Sequence, residues 1–406
     1  MATPFNETIM KFVWDESVRQ AKGMVQSWTR ASATGIPSYQ KDTRTLSLNV
    51  LAATGFQKLY DFRGSSEPII DDVGSYRDSL QTVLDNIILL MLVPFRVLCM
   101  MPGNLARIGN AGIAFKRHMV QMLEDETKAR DQGQPGSGGI MASFMRAANM
   151  HGVPDAKGTK KGLSVDEIFG NLFVINFAGH DTTANTLAFG MLLLARHPDV
   201  QQWLADEIAF VSKDQPVNGW DYKDLYPQLK RCRAVLYEIL RLYPPVPALP
   251  SIASNGTQTL NVGEQTLHIP EGTNLTANLR AMQVHPHHWT NATEWQPSRW
   301  ISNSAPAISP SADEMANEQF SVPSKRIFFP WGEGPQVCPG RKFAEVEAVA
   351  ALAYVFKAHR LFVKKGDGET EDEVRKRVDH CLNDVDLEML VRLRDADSVT
   401  LICEEA

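Results

Sequence analysis

Cys338 is the residue whose surroundings most clearly suggest chemistry. It stands in the run Phe328-Phe-Pro-Trp-Gly-Glu-Gly-Pro-Gln-Val-Cys-Pro-Gly-Arg-Lys-Phe343. Apolar residues recurring from Phe343 predict a helix, so the thiol precedes a helix N-terminus. The dipole and unpaired N–H groups there are expected to lower a thiol's pKa. Gly332, Gly334 and Gly340 let backbone approach a flat cofactor closely. Pro339 lacks an N–H and helps fix the turn. A thiolate held this way can ligate haem iron and push electron density toward O–O cleavage. The plain alternative is a buried cysteine in a Gly/Pro turn; the glycine pattern favours the ligand.

A second group is Ala178-Gly-His-Asp-Thr-Thr183, set between the apolar flanks Leu172-Phe-Val-Ile175 and Leu187 to Leu194. A polar patch centred in so apolar a helix needs a reason. Gly179 costs about 1 kcal/mol relative to Ala there, and threonines can bond the carbonyl one turn back and distort the helix. A Gly/Thr kink against a neighbouring helix is the structural alternative. Glu238-Ile-Leu-Arg241 places opposite charges at i and i+3, usually a surface pair of a few tenths of a kcal/mol. Its apolar neighbours Val235, Leu236, Leu240 and Leu242 predict burial instead. His285-Pro-His-His288 has no further ligand type at a suitable spacing and reads as a surface turn rather than a metal site.

Together these residues resemble the signatures of the cytochrome P450 family. Trp331, Gly334, Cys338 and Gly340 fall on the Phe, Gly, Cys and Gly of F-x-x-G-x-R-x-C-x-G, with Trp331 for the Phe and Gln336 for the Arg. The resemblance implies that Cys338 is the axial ligand of haem b. Trp331, Gly332, Gly334, Gln336, Gly340, Ala178 and Gly179 would border the cofactor. Gln336 stands where the family's arginine contacts a haem propionate, and it gives up a charge-assisted hydrogen bond. The 178–183 run is similar to [AG]-G-x-[DE]-T-[TS]. By that likeness Thr182 bonds iron-bound dioxygen, Asp181 relays protons to it, and Ala178 and Gly179 leave room for oxygen. Glu238 and Arg241, joined by Arg299 of Pro297-Ser-Arg-Trp300, match a structural triad that locks the cysteine loop. The motifs also occur in the family's order, and the loop is most like that of membrane-bound eukaryotic, especially fungal, members.

The elements that must position these groups are mainly helical. Residues 14–28 and 42–59 show apolar spacing of three and four. Residues 131–161 read as a loop around one short helix. Ser164 and Glu167 form a capping box that opens a helix running to His197, where Pro198 stops it; at 1.5 Å per residue it spans roughly 50 Å. Helices follow over 198–211 and 229–242. Residues 259–262 and 265–269 alternate around Gly263-Glu264, a predicted hairpin. Residues 302–325 read as structureless, 343–362 as a helix, and the charge run 364–377 as a solvated loop. The expected fold is mainly α with small β-sheets, one P450 domain over residues 1–406. The start of the resemblance leads us to expect a chain lacking the family's membrane anchor and first helices, with weak haem retention.

Composition narrows the classes. Lys and Arg number 41 against 47 Asp and Glu, for a net charge of −6, which is no footprint for nucleic acid. Five cysteines, Cys99, Cys232, Cys338, Cys381 and Cys403, include no C-x-x-C pair. That argues against a disulfide framework or zinc site and for a reducing compartment. The apolar stretch 87–101 is short for a span, which needs roughly 20 residues, and reads as a core or membrane-surface helix.

The resemblance therefore implies a monooxygenase that inserts one oxygen atom into a lipophilic molecule, in fungi often within secondary-metabolite biosynthesis. NADPH would supply electrons through a P450 reductase, docked beside Lys325, Arg326, Arg341 and Lys342. Phe173, Phe177, Val246, Ala248 and Leu249 would line an apolar substrate pocket. The family sits on the cytosolic face of the endoplasmic reticulum membrane; without an anchor the cytosol is the alternative. A reductase-independent haem-thiolate isomerase and a non-catalytic binding protein remain as further readings.

Overall fold

The computed structural model describes residues 5–31, 33–56, 58–65, 76–132, 139–140, 164–213, 215–253, 256–303, 312–323, 327–334, 337–387 and 390–406. Its helices are α1 (Glu7–Arg30), α2 (Tyr39–Phe56), α3 (Tyr76–Asp85), α4 (Ile87–Leu92), α5 (Phe95–Leu98), α6 (Asn104–Asp131), α7 (Val165–Arg196), α8 (Pro198–Ser212), α9 (Tyr222–Leu225), α10 (Lys230–Leu242), α11 (Leu279–Gln283), α12 (Ala312–Asn317), α13 (Arg341–Ala358) and α14 (Glu371–Asn383). The expected mainly helical fold is what forms.

Four of these helices make the frame. Asn6 opens α1 by accepting from the Ile9 N–H at 3.1 Å, which satisfies one of the orphan donors of the first turn. The helix then buries Met10, Val13, Trp14, Ala21, Met24, Val25 and Trp28 along one face. That face packs on α2 and α13, and α2 packs on α7. α13 can lie at the centre because Ala348, Ala350, Ala351 and Ala353 are small and wholly buried. The long α7 starts at the expected capping box: Ser164 Oγ accepts from Glu167 N at 3.2 Å and Glu167 Oε2 accepts from Ser164 N at 2.7 Å. It ends before His197, and Pro198 opens α8.

Among the described residues the strands pair as five two-stranded antiparallel sheets. β1 (Ala248–Ile252) pairs with β4 (Asn274–Asn278), with Ala248 opposite Asn278. β2 (Gln258–Val262) and β3 (Gln265–Ile269) form the expected hairpin, with Val262 opposite Gln265. Gly263 takes the left-handed φ of 59° that the turn requires. β5 (Ile301–Ser302) pairs with β6 (Gln319–Phe320), β7 (His359–Val363) with β10 (Leu401–Glu405), and β8 (Val385–Asp386) with β9 (Arg392–Leu393).

Four expectations are corrected. The helix expected over 343–362 stops at Ala358, because residues 359–363 pair as β7 with the C-terminal strand. The charge run 364–377 is not all loop. Thr370 and Glu373 form a capping box that starts α14, whose Val374, Val378, Cys381 and Leu382 face the core. The 302–325 segment contains α12 and β6 among its described residues. The 87–101 stretch is two short helices, broken at Val93-Pro94, with Leu92 77% and Met100 87% exposed. No helix among the described residues is long and apolar enough to cross a membrane. The loop expected over 131–161 lies mostly outside the described residues.

Candidate functional site

The loop before α13 is tied back on itself. Cys338 N donates to Trp331 O at 2.9 Å, Val337 N to Gly334 O at 3.3 Å, and Gly332 N to Phe329 O at 2.9 Å. Gly332 and Gly334 hold φ of 76° and 82°, a region that disfavours any side chain. Gly340 is the N-cap of α13. A Cβ added to it would lie 3.8 Å from Cys338 Sγ, in ordinary van der Waals contact, so Gly340 flanks the sulfur. Cys338 keeps an open face, yet enough protein surrounds the sulfur that burial pushes its thiol up, against the N–H groups of Gly340 and Arg341, which pull it down. The lowering expected from the helix N-terminus is therefore overcome. Gln336 lies outside the described residues, as do Lys325 and Arg326.

Aromatic rings fix this loop to α10. Tyr237 lies 5.4 Å from both Phe328 and Trp331, ring centre to ring centre, and Trp300 lies 4.7 Å from Phe328. Such edge and tilted contacts add about 0.5–1.5 kcal/mol each beyond burial. The Tyr237 hydroxyl donates to Glu345 Oε1 at 2.7 Å and accepts from Arg341 Nη2 at 3.0 Å. Arg341 also stacks over Trp331 at 4.9 Å.

Beneath the rings, Glu238, Arg241 and Arg299 come together, with Glu238 and Arg241 wholly buried. Arg241 gives Nε to Glu238 Oε2 and Nη2 to Oε1, both at 2.8 Å. Arg299 Nε reaches Oε1 at 3.0 Å, Trp300 Nε1 reaches Oε2 at 2.9 Å, and Gln296 N reaches Oε1 at 2.9 Å. Arg241 Nη1 spends itself on the Gln283 and Ala292 carbonyls. All five Arg241 N–H groups and both Glu238 oxygens are used, which is what a buried ion pair needs to persist.

The polar patch of α7 divides between two sides of the helix. Ala178 is exposed, and Gly179 faces α2, where an added Cβ would meet the Leu51 side chain at 3.4 Å. Thr182 Oγ1 donates back to Ala178 O at 2.8 Å, and Thr186 Oγ1 to Thr182 O at 2.8 Å. Asp181 points at α2: Arg44 Nε meets its Oδ1 at 2.7 Å and Nη2 its Oδ2 at 3.2 Å. Arg44 also pairs with Asp85 at 2.7 Å. Burial raises the Asp181 carboxyl, but His180 and Arg44 outweigh it and hold the group at about 2. Asp181 is thus an ionised, clamped carboxylate, and neither bond of the clamp involves Thr182.

The expected pocket residues are distributed over two places. Phe173 and Phe177 belong to a satellite core with Tyr76, Phe115 and Met119, Phe173 meeting Phe115 edge-on at 6.4 Å. Val246, Ala248 and Leu249 are half-buried at and before β1. Two open grooves lie elsewhere, one lined by Lys230, Arg233 and Phe320, the other by Tyr226, Arg233 and Lys342. Their charged linings do not suit a lipophilic ligand. His285, His287 and His288 are exposed on a turn, and among the described residues no His/Cys/Asp/Glu group suits a metal ion.

Several residues escaped sequence reading. Arg44 carries no local signal, since its partner is 137 positions away. Tyr237 and Trp300 adjoin Glu238 and Arg299 and were findable as buried aromatic neighbours. Glu347, on α13, is wholly buried with neither carboxylate oxygen hydrogen-bonded.

The family profile described as Cytochrome P450 matches residues 7–379. Cytochrome P450 monooxygenase prx9 of Penicillium rubens is 26% identical over 403 residues, covering 93% of this chain and 68% of its own length. The Phomenoic acid biosynthesis cluster cytochrome P450 monooxygenase of Leptosphaeria maculans is 26% identical over 420 residues, covering 94% and 68%. A crystal structure of the heme domain of a cytochrome P450DA mutant superposes with a TM-score of 0.70 at 21% identity, covering 99% of this chain and 75% of that one. Likeness at that identity speaks for the fold alone.

Proposed function

This chain belongs to the cytochrome P450 family, and we propose that it inserts one atom of dioxygen into a lipophilic small molecule, with electrons drawn from NADPH through a reductase. The observation that carries this reading is the Cys338 thiol, open on one side and faced on another by two N–H groups at the head of α13. That donor set fits a haem-thiolate centre: one soft sulfur that two N–H groups would stabilise as thiolate, with a glycine on its flank. Haem, when bound, supplies the one-electron and oxygen chemistry.

The protein's own groups set the conditions. Cys338 would bind as thiolate, so its proton leaves when the metal arrives. The Gly340 and Arg341 N–H groups then face a full negative charge and stabilise it. Rings of Tyr237, Phe328 and Trp331, held through the Glu238 cluster, keep the sulfur in one position. On α7 the Thr182 hydroxyl proton rests on Ala178 O; a rotation about χ1 frees it to donate elsewhere. Asp181 accepts and passes a proton only after leaving Arg44, because at about 2 it is ionised throughout the neutral range.

Phe173, Phe177, Val246, Ala248 and Leu249 supply apolar surface that suits a lipophilic substrate. The Leptosphaeria relative's place in a biosynthetic cluster supports a role in making a secondary metabolite. Arg341 and Lys342, beside the cysteine loop, support docking of an acidic reductase. The exposed Leu92, Val97, Met100, Met101 and Leu105 around Arg96 support contact with a membrane surface. Turnover of candidate lipophiles under labelled dioxygen, with reductase and NADPH, tests the reading. One labelled oxygen in the product is expected. Product carrying no label, or formed equally without NADPH, would overturn it.

A further inference from the structure

Arg233, on α10, and Lys342, on α13, form no ion pair among the described residues, although both side chains are half-buried. The Arg233 guanidinium lies 4.3 Å from the centre of the Phe320 ring and 5.9 Å from that of Tyr226. The Lys342 amine lies 4.2 Å from the same tyrosine ring. These rings steady the cations without spending their N–H groups. Arg233 Nε is shut off from solvent and has no hydrogen-bond partner. The two open grooves meet at this place, because Pro227 and Arg233 line both.

The carboxylates in the same walls are already engaged. Glu318 holds Arg231 through both oxygens, at 2.9 and 2.8 Å. Glu345 Oε1 accepts from the Tyr237 hydroxyl at 2.7 Å and from Arg341 Nε at 2.9 Å, and its Oε2 from the Tyr226 hydroxyl at 3.3 Å. Glu7 Oε2 accepts from the Tyr222 hydroxyl at 3.0 Å. Lys230 brings a further cation to the rim; its Nζ donates to Glu318 O at 2.6 Å, a bond that leaves the charge unneutralised. Burial holds the Lys342 amine below its ordinary value against the pull of Glu345 and Glu7, and Arg233 and Arg341 add to the lowering. An anion placed here relieves that repulsion.

We propose that the trough between α9, α10 and α13 binds a phosphate dianion, held by Arg233 and Lys342 with Lys230 at its edge. A guanidinium offers a flat fork of N–H groups that matches phosphate oxygens, and an ammonium offers a point charge beside it. A carboxylate neutralises one of these cations; a phosphate dianion neutralises two and has oxygens for both. Bound phosphate ties α10 to α13 beside Tyr226, whose hydroxyl reaches the carboxylate that also holds Tyr237 and Arg341 against the cysteine loop. The site stands apart from the monooxygenase reading, since none of its groups acts through haem.

Calorimetric titration of the full chain with inorganic phosphate, at neutral pH and with ionic strength held constant by sodium chloride, tests the proposal. Saturable binding with a Kd on the order of 1 mM or below is expected, and the monoanion acetate should bind more weakly. Arg233→Gln and Lys342→Gln should each weaken phosphate roughly tenfold or more, the loss of one charge-assisted hydrogen bond. Should Arg233→Gln fail to fold, Lys342→Gln decides. Lys116→Gln, on the exposed side of α6, removes the same charge elsewhere and should leave the affinity unchanged. Absence of saturation, acetate binding as tightly as phosphate, or an equal loss in Lys116→Gln and Lys342→Gln would overturn the site. No step needs haem or reductase, so failure of the monooxygenase reading would leave this result standing.

Discussion

Replacing Glu238 with alanine should be among the most damaging single changes in this protein. Glu238 accepts five hydrogen bonds, two from Arg241 and one each from Arg299, Trp300 and Gln296. Truncation strands the wholly buried Arg241 without a counter-charge, which costs about 3–5 kcal/mol. The orphaned Trp300 and Gln296 N–H groups add about 1–3 kcal/mol each, not fully additively. The total, about 4 kcal/mol or more, is a large part of a stability of roughly 5–15 kcal/mol. Arg299→Ala should cost less, about 1–2 kcal/mol, because Arg299 is 12% exposed and its other bonds go to carbonyls that water can reach. Urea unfolding followed by fluorescence measures both through the midpoint at constant slope. A loss below about 1 kcal/mol for Glu238→Ala, or a larger loss for Arg299→Ala, would refute the view that this carboxylate organises the cluster.

Other expectations follow from the same structure. Burial pushes the Glu347 carboxyl up to about 8. The native state therefore holds a proton that the unfolded chain releases near pH 4.5. The stability this contributes is full below pH 4.5 and is lost as pH rises toward 8, an effect on the order of 3–5 kcal/mol. Glu347→Gln should flatten that part of the stability–pH curve, and an unchanged slope in urea titrations would contradict it. Asp181 is the opposite case: its pKa is held down, so its contribution is present above about pH 4 and lost as pH falls toward 2. Arg44→Gln should shrink this acid-side loss, read by acid titration of circular dichroism. Tyr237→Phe removes the hydroxyl between Glu345 and Arg341 and should cost about 1–2 kcal/mol; full stability would mean the bond is idle.

What sequence could and could not convey follows the range of each interaction. The capping box at Ser164, the stop at Pro198 and the turn at Gly263 act within a few residues, and their elements stand where the pattern put them. The end of α13 is not legible in the sequence because Leu361 and Phe362 continue its apolar run, and only pairing with Leu401–Glu405 makes residues 359–363 a strand. α14 was hidden because its capping box, Thr370 and Glu373, lies inside a run that composition marks as solvated loop. In the site, Cys338 and the Glu238–Arg241 pair are visible as local motifs. The Arg44–Asp181 clamp is a tertiary fact with no trace in spacing, and it alters what Asp181 does. The rise in the Cys338 thiol was likewise illegible, since it depends on how much protein closes around the sulfur.

The most direct test of the central claim is the carbon-monoxide difference spectrum of the reduced, haem-loaded chain. A thiolate-type Soret band that disappears in Cys338→Ala, with the variant still folded by circular dichroism, is the predicted result. A folded chain that takes up haem yet shows no such band, or one that keeps it in Cys338→Ala, would contradict the assignment of Cys338 as the iron's ligand.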